Sequence, residues 1–210
     1  MQDRLDDYIS RHISPEPPLL AKTYRDTYVR HLYPRMCSGH VQGRWLKMLT
    51  GMINPRRVLE LGTFTGYSAL CIAEGMCPEA HLHTVEIDDE MEDELLERFA
   101  ASPWADRIHL HIGDATEVIP TLAEEWDMVF IDANKRHYAK YYELVFPRVR
   151  KGGYIIADNT LWDGKVAECP QPTDAQSVGI MEFNDMVARD SRVEVSILPL
   201  RDGLTIIHKL

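Results

Sequence analysis

Two apolar runs in this chain end in hard oxygen donors. Phe130-Ile131 leads into Asp132-Ala133-Asn134-Lys135, and Ile155-Ile156-Ala157 leads into Asp158-Asn159. Two carboxylates and a carboxamide, Asp132, Asp158 and Asn159, suit a hard divalent cation, Mg²⁺ first, with Mn²⁺ and Ca²⁺ as the other fits. Zinc is disfavoured because no His or Cys stands at these strand ends. A cation there would hold two adjacent oxygens of an acceptor and lower the pKa of a bound hydroxyl. Lys135, three residues past Asp132, is the candidate general base. An ammonium beside a dication is disfavoured, so its pKa is expected to fall.

A second segment offers a place for another ligand. Val58-Leu59-Glu60-Leu61 runs into Gly62-Thr63-Phe64-Thr65-Gly66-Tyr67-Ser68, a glycine-bearing turn that opens a helix. Open parallel sheets bind nucleotide-like ligands at such turns. The turn is neither Gly-x-Gly-x-x-Gly nor Gly-Lys-Ser/Thr, so the dinucleotide and phosphate-loop fingerprints are absent. Glu60, just ahead of the glycine, is placed to repel a phosphate. The expected ligand carries a cationic amine and no phosphate, as S-adenosylmethionine (SAM) does. Glu86 ends the next apolar run and is the candidate for the ribose hydroxyls. Asp114, in Gly113-Asp114-Ala115, is the candidate for the adenine amino group, with the neighbouring backbone against the ring. Ser68 is assigned to the amino-acid end of the ligand, and Asp88 is read as a cap.

These residues need elements to hold them. Strands are expected at 58–61, 81–87, 108–112, 128–131 and 154–157, with helices between them at 67–76, 89–101, 116–124 and 137–149. That alternation implies βαβ units and a parallel sheet covered on both faces. Two further strand runs, 193–198 and 204–208, flank Asp202-Gly203 and read as an antiparallel hairpin. Three helices precede the alternation. The second is expected to run from 18 to 33, with Gly39 and Gly43 marking a break before the third. The long 160–174 loop carries Trp162, and loops of that length are often functional. We therefore expect one α/β domain, with residues 1–54 as a helical cap and 55–210 as the core.

Bulk properties agree. A chain of 210 residues suits a single core. A net charge of −10 argues against a polyanionic partner. Cys37, Cys71, Cys77 and Cys169 show no Cys-x-x-Cys spacing and read as reduced thiols of a cytoplasmic protein. The acidic start has no apolar core for a signal peptide, and no apolar run reaches membrane-span length.

Taken together, the segments resemble the cation-dependent O-methyltransferases of the caffeoyl-CoA and catechol O-methyltransferase group, bacterial members above all. The resemblance spans Met36…Gln42-Gly43, the 58–68 turn, Glu86, Gly113-Asp114-Ala115, Phe130 to Lys135, Gly152-Gly153, Asp158-Asn159-Thr160-Leu161-Trp162 and Asp202-Gly203-Leu204-Thr205. It implies a Rossmann-like class I fold: a mostly parallel seven-stranded sheet with an antiparallel C-terminal strand, and N-terminal capping helices. It implies SAM contacts at Ser38, Glu60, Gly62, Thr63, Ser68, Glu86, Asp114, Ala115 and Asp132. Metal ligation falls to Asp132, Asp158 and Asn159, catalysis to Lys135 with Asp132, and a homodimer is implied as well. The chain departs from the pattern at Asn134, where the family has an acid, and at Thr205, where the animal catechol enzyme has a carboxylate. The basic residues that bind coenzyme A phosphates in plant members are unmatched.

The expected activity is O-methylation of one hydroxyl of a small aromatic vicinal diol. A caffeoyl-CoA-type thioester is one alternative acceptor. A hydroxyuridine of transfer RNA is another, if His12, Arg25, Arg30, His31 and Arg35 form a basic face. The intact Asp132, Lys135, Asp158 and Asn159 speak against a non-catalytic binding module. The missing Gly-x-Gly-x-x-Gly speaks against a dehydrogenase.

Overall fold

The computed structural model describes residues 2–210, apart from the side chains of Gln2, Asp3 and Asp6. Met1, where the acidic start begins, lies outside the described residues. Seven strands form one sheet in the order β3-β2-β1-β4-β5-β7-β6. They are β1 (Arg57–Leu61), β2 (His81–Glu86), β3 (Ile108–Ile112), β4 (Trp126–Ile131), β5 (Val149–Asp158), β6 (Val193–Leu198) and β7 (Leu204–Lys209). Strands β1 to β5 pair in parallel, and β7 is antiparallel to both β5 and β6. Only β7 therefore runs against the sheet, as the fold class requires.

The helices are α1 (Gln2–His12), α2 (Pro18–Arg30), α3 (Gly39–Ile53), α4 (Tyr67–Gly75), α5 (Glu92–Ala100), α6 (Ala115–Thr121), α7 (Tyr138–Val145) and α8 (Ala175–Arg189). They cover both faces, which is why the central strands carry near-continuous apolar runs. Val58, Phe130 and Ile156 pack with α3, α4 and α5 on one face, and Leu59, Val129 and Ile155 pack with α6, α7 and α8 on the other. Order reverses between β1 and β4, and the crevice beyond their carboxyl ends is the ligand position in open α/β sheets.

Several expected boundaries move. Helix α2 stops at Arg30, short of Tyr33. Gly43 is no break: it lies inside α3, where an added Cβ would stand 2.7 Å from the Cys71 Sγ and 2.9 Å from the Tyr67 ring. Its bare backbone lets α3 close onto α4, and Arg44 ties the two helices through a bidentate pair with Glu74 at 2.9 and 2.6 Å. Strand β5 starts at Val149, five residues early, running through Gly152-Gly153. Helix α8 lay outside the expected elements, although Asp174 caps it and Ile180, Phe183 and Val187 bury one stripe.

Candidate active site

The glycine turn after β1 is held by the next strand. Gly62 and Thr63 both donate backbone N–H bonds to the Val85 carbonyl, at 3.0 and 3.2 Å. Gly62 sits at φ +95°, and a Cβ there would collide with the Asp132 carbonyl. Both constraints demand glycine. They also bring the β1 turn against the residue that follows β4. A cavity of about 730 Å³ opens at this place, and Ser38, Gly62, Thr63, Ser68, Glu86 and Ala115 line it.

Glu86 is the last residue of β2, and its carboxylate faces inward. Oε2 accepts from the Phe64 N–H at 2.6 Å, and Oε1 accepts from Ile87 and Asp88 at 3.0 Å each. Burial still pushes its pKa up. With two lone pairs per oxygen, Oε2 keeps one for a ligand hydroxyl.

Two expected contacts are placed differently. Glu60 lies one residue before the end of β1, is wholly buried, and is not among the cavity-lining residues. Its Oε2 accepts from the Thr84 hydroxyl at 2.5 Å, while Oε1 has no partner among the described residues. Burial pushes it up to about 8; the Ser68 and Thr84 hydroxyls oppose this, and the Asp132 and Glu86 charges add to it. A carboxyl pushed that high and lying behind the cavity wall is not placed to repel a phosphate there. Asp114 caps α6, accepting from the Thr116 N–H at 2.7 Å, which holds its pKa down. Its neighbours Gly113 and Ala115, rather than Asp114, line the cavity.

Across the same cavity stand Asp132, Lys135, Asp158 and Asn159. The Tyr138 hydroxyl reaches the Ile131 carbonyl at 3.2 Å and the Asp158 carbonyl at 3.1 Å, so one buried phenol braces both strand ends. Asp158 is buried. Its Oδ1 accepts from the Asn159 N–H at 2.7 Å and its Oδ2 from the Gln42 amide at 2.5 Å. Burial and then the Asp132 charge push Asp158 up to about 6, with Gln42, Lys135 and the Asn159 N–H opposing. Asn159 adopts a left-handed φ of +56°. Its carboxamide makes no hydrogen bond among the described residues.

Crowded carboxylates beside an uncommitted amide oxygen form a hard donor set, and a divalent cation fits it. Among the described residues no three His, Cys, Asp or Glu side chains form a metal-holding group. The Asp132, Asp158 and Asn159 set differs in taking its third donor from an amide.

Lys135 is paired with the acid three residues before it. Its Nζ lies 2.6 Å from Asp132 Oδ1 and 5.3 Å from the Tyr138 ring centroid. Burial alone would lower its pKa, but the Asp132 carboxylate and Tyr138 outweigh that and raise it. In the free protein the group is an ammonium, stabilised by the carboxylate it touches.

Other residues around the site had no individual role assigned from the sequence. Gln42 binds Asp158, and Arg201 binds Gln42 Oε1 at 3.1 Å. Trp162 lines the cavity with a buried indole N–H that has no partner among the described residues. Gly179 of α8 lets that helix touch the Lys135 backbone: a Cβ there would stand 2.6 Å from its carbonyl oxygen. Of the basic residues proposed as a face, His31 meets Glu94 at 3.3 Å and Arg35 lines the cavity.

A doubly wound seven-stranded sheet with one antiparallel strand, and with a glycine turn and an inward acid at its switch point, is the class I SAM-dependent methyltransferase fold, shared with solved SAM- and SAH-bound methyltransferases. The O-methyltransferase family model matches residues 10–210, and the chain belongs to that family. Caffeoyl-CoA O-methyltransferases of Eucalyptus gunnii and Mesembryanthemum crystallinum are 30% and 32% identical over 219 and 223 residues. Each alignment covers 99% of this chain, and 88% and 87% of those proteins respectively. The O-methyltransferase TomG of Streptomyces achromogenes, involved in tomaymycin synthesis and solved with SAM, superposes with a TM-score of 0.90 at 29% identity, covering 98% of this chain and 96% of its own. The SAH-bound methyltransferase PaMTH1 of Podospora anserina superposes at 0.91 with 28% identity, covering 100% and 95%.

Proposed function

We propose that this chain transfers a methyl group from SAM to one hydroxyl of a small aromatic vicinal diol held beside a divalent cation. The observation that carries the reading is one cavity. The glycine turn and Glu86 line one side of it, and Asp132, Lys135, Asp158 and Asn159 line the other. Asp132, Asp158 and Asn159 would hold the cation. When bound, it supplies Lewis acidity that lowers the pKa of an acceptor hydroxyl.

The chain's own residues do the rest. Glu86 offers its free lone pair to the ribose, and Ser38, Thr63 and Ser68 border the space for the amino-acid end. Lys135 Nζ is the group placed to take the acceptor proton. To act as a base the ammonium has first to leave Asp132 and give up its own proton to solvent, which the nearby cation would favour by repulsion. The deprotonated oxygen then attacks the sulfonium methyl: the O–C bond forms, the S–C bond breaks, and the sulfonium becomes a neutral thioether. Opposite charges disappear in that step, so a cavity walled by Phe64, Tyr141 and Trp162 favours it by keeping water out.

The same reading treats residues 1–54 as a cap on a 55–210 core and the chain as a cytoplasmic homodimer. Exposed Val29, Leu32, Tyr33 and Met36 support an interface near the cavity. No helix among the described residues is long and apolar enough to cross a membrane. Arg35 and Arg136 on the cavity favour a second reading, an anionic acceptor such as a thioester of coenzyme A or a transfer-RNA nucleotide. The net charge of −10 weighs against the RNA.

The test is methyl transfer from SAM to 3,4-dihydroxybenzoate, with Mg²⁺ and with EDTA. Turnover abolished by EDTA is the expected result. Turnover that survives EDTA would refute the cation, and no turnover in either, with SAM bound, would move the acceptor to RNA or a thioester.

A further inference from the structure

The turn between β6 and β7, residues 199–203, lies outside the groups assigned above to SAM and the cation. It nevertheless touches both sides of the cavity. Arg201 takes a left-handed φ of +49°, a conformation that non-glycine residues adopt rarely. That backbone turn points the guanidinium across the molecule. Nη1 donates to the Cys37 carbonyl at 3.3 Å, to the Ser38 carbonyl, and to Gln42 Oε1 at 3.1 Å. On the other side of the same turn, the Asp202 carbonyl accepts from the Leu161 N–H at 2.8 Å and Gly203 accepts from Thr160 at 3.1 Å. The Asp202 carboxylate accepts from the Asp163 N–H. One short turn therefore grips the segment ending in Ser38 and the segment following Asn159.

Gln42 is the link between them. It is buried, with both ends of its amide engaged: Oε1 faces the Arg201 cation and Nε2 faces Asp158 Oδ2. The opposite amide orientation would set a donor against the guanidinium and an oxygen against a carboxylate. Arg201 thus fixes which end of Gln42 meets Asp158, and Gln42 fixes the plane in which Asp158 presents its remaining lone pairs. Bonds that orient a ligand carboxylate are as much part of a metal site as the ligand itself.

We infer that Arg201, acting through Gln42 and the Ser38 carbonyl, is a positioning residue that couples the amino-acid end of the cofactor site to the Asp158 side of the cation site. The inference rests on the reading of Asp158 as a ligand. Neither Arg201 nor Gln42 touches the reacting atoms in this role.

The test uses binding alone, with SAH and Mn²⁺ as probes, on the wild type, Arg201→Ala, Gln42→Leu and the double variant. SAH is followed by calorimetry and Mn²⁺ by electron paramagnetic resonance. Each single variant is expected to weaken Mn²⁺ binding about tenfold. The double variant should be no weaker than the worse single one, because the two residues act in series. SAH affinity should fall in Arg201→Ala and hold in Gln42→Leu. Losses that multiply in the double variant, or affinities within about twofold of wild type, would overturn the relay. If Arg201→Ala fails to fold, Arg201→Lys keeps a charge but loses the fork. It should weaken both probes, and unchanged affinities there would overturn the inference as well. Wild-type protein that binds SAH but no Mn²⁺ would remove the cation reading and the relay with it. Normal wild-type binding with silent variants would remove the relay alone.

Discussion

Glu60→Gln should change stability with a sign that depends on pH. In the folded protein burial pushes the Glu60 carboxyl up to about 8, while an ordinary glutamate titrates at 4.5. The folded state therefore binds more protons between those two values, and stability falls as pH rises from 4.5 through 8. Each pH unit in that window is worth about 1.4 kcal/mol. At pH 7 the wild type thus lacks about 3 kcal/mol that a side chain with no titration would keep. Glutamine is nearly isosteric and can still accept from the Thr84 hydroxyl. It replaces one O–H donor by two N–H donors in a site where Oε1 has no partner among the described residues, and an unsatisfied buried donor costs about 1–2 kcal/mol.

The two effects cross. At about pH 5 the titration gain is under 1 kcal/mol, so the variant should be equal to or less stable than wild type. At pH 7 to 8 it should be about 1–3 kcal/mol more stable. Urea unfolding of the cofactor-free protein, followed by tryptophan fluorescence across this range, measures the difference directly. A stability difference that does not vary with pH would refute the protonated Glu60. So would a variant that loses stability steadily as pH rises, which would mean an ionised carboxylate compensated in place.

Two further perturbations address the base and the sheet edge. Gly179→Ala places a methyl against the Lys135 carbonyl and the Arg136 Cα, at 2.6 and 2.8 Å, so α8 or the turn bearing Lys135 must shift. Overpacking of this kind costs about 1–3 kcal/mol, and a misplaced reacting group about 100-fold in kcat. SAH affinity should hold, and an unchanged kcat would show that α8 does not set Lys135. His81, His83, His109 and His111 form a ladder across β2 and β3, with ring nitrogens 3.0 Å apart in the His81–His109 and His83–His111 pairs. Burial, then the neighbouring histidines, pull His83 down to about 4. The unfolded chain takes its proton first, so stability falls as pH drops from 6.5 towards 4. His83→Gln should flatten that fall in urea midpoints, and an equally steep fall would place the acid sensitivity elsewhere.

What the sequence revealed depended on how local the cause was. Asp132 follows β4 directly, Glu86 ends β2 and Asp158 ends β5, and each reaches the cavity. Glu60 stands one residue short of its strand end, and alternation turns it with Val58 into the layer beneath α4 and α5. The presence of an acid at a strand end was legible. Its use as a crevice residue is decided by one step of register, since successive side chains face opposite ways. Asp114 shows the other local competitor, a helix that needs a cap.

The support of the site was legible least of all. Gln42 and Arg201 stand 159 residues apart, and their bond exists only because a left-handed turn aims a guanidinium at α3. Gly179 reads as a weak spot in a helix of ordinary composition. Only the backbone of Lys135 lying against it gives the missing Cβ a purpose. Periodicity and strand-end chemistry belong to single segments, so a sequence displays them. The contacts that aim Asp158 and Lys135 belong to pairs of segments, and their causes appear only once the sheet has set those pairs side by side. For that reason Gly179→Ala and Arg201→Ala test what the motifs leave open: whether the residues that hold the ligands and the base matter as much as the ligands and base themselves.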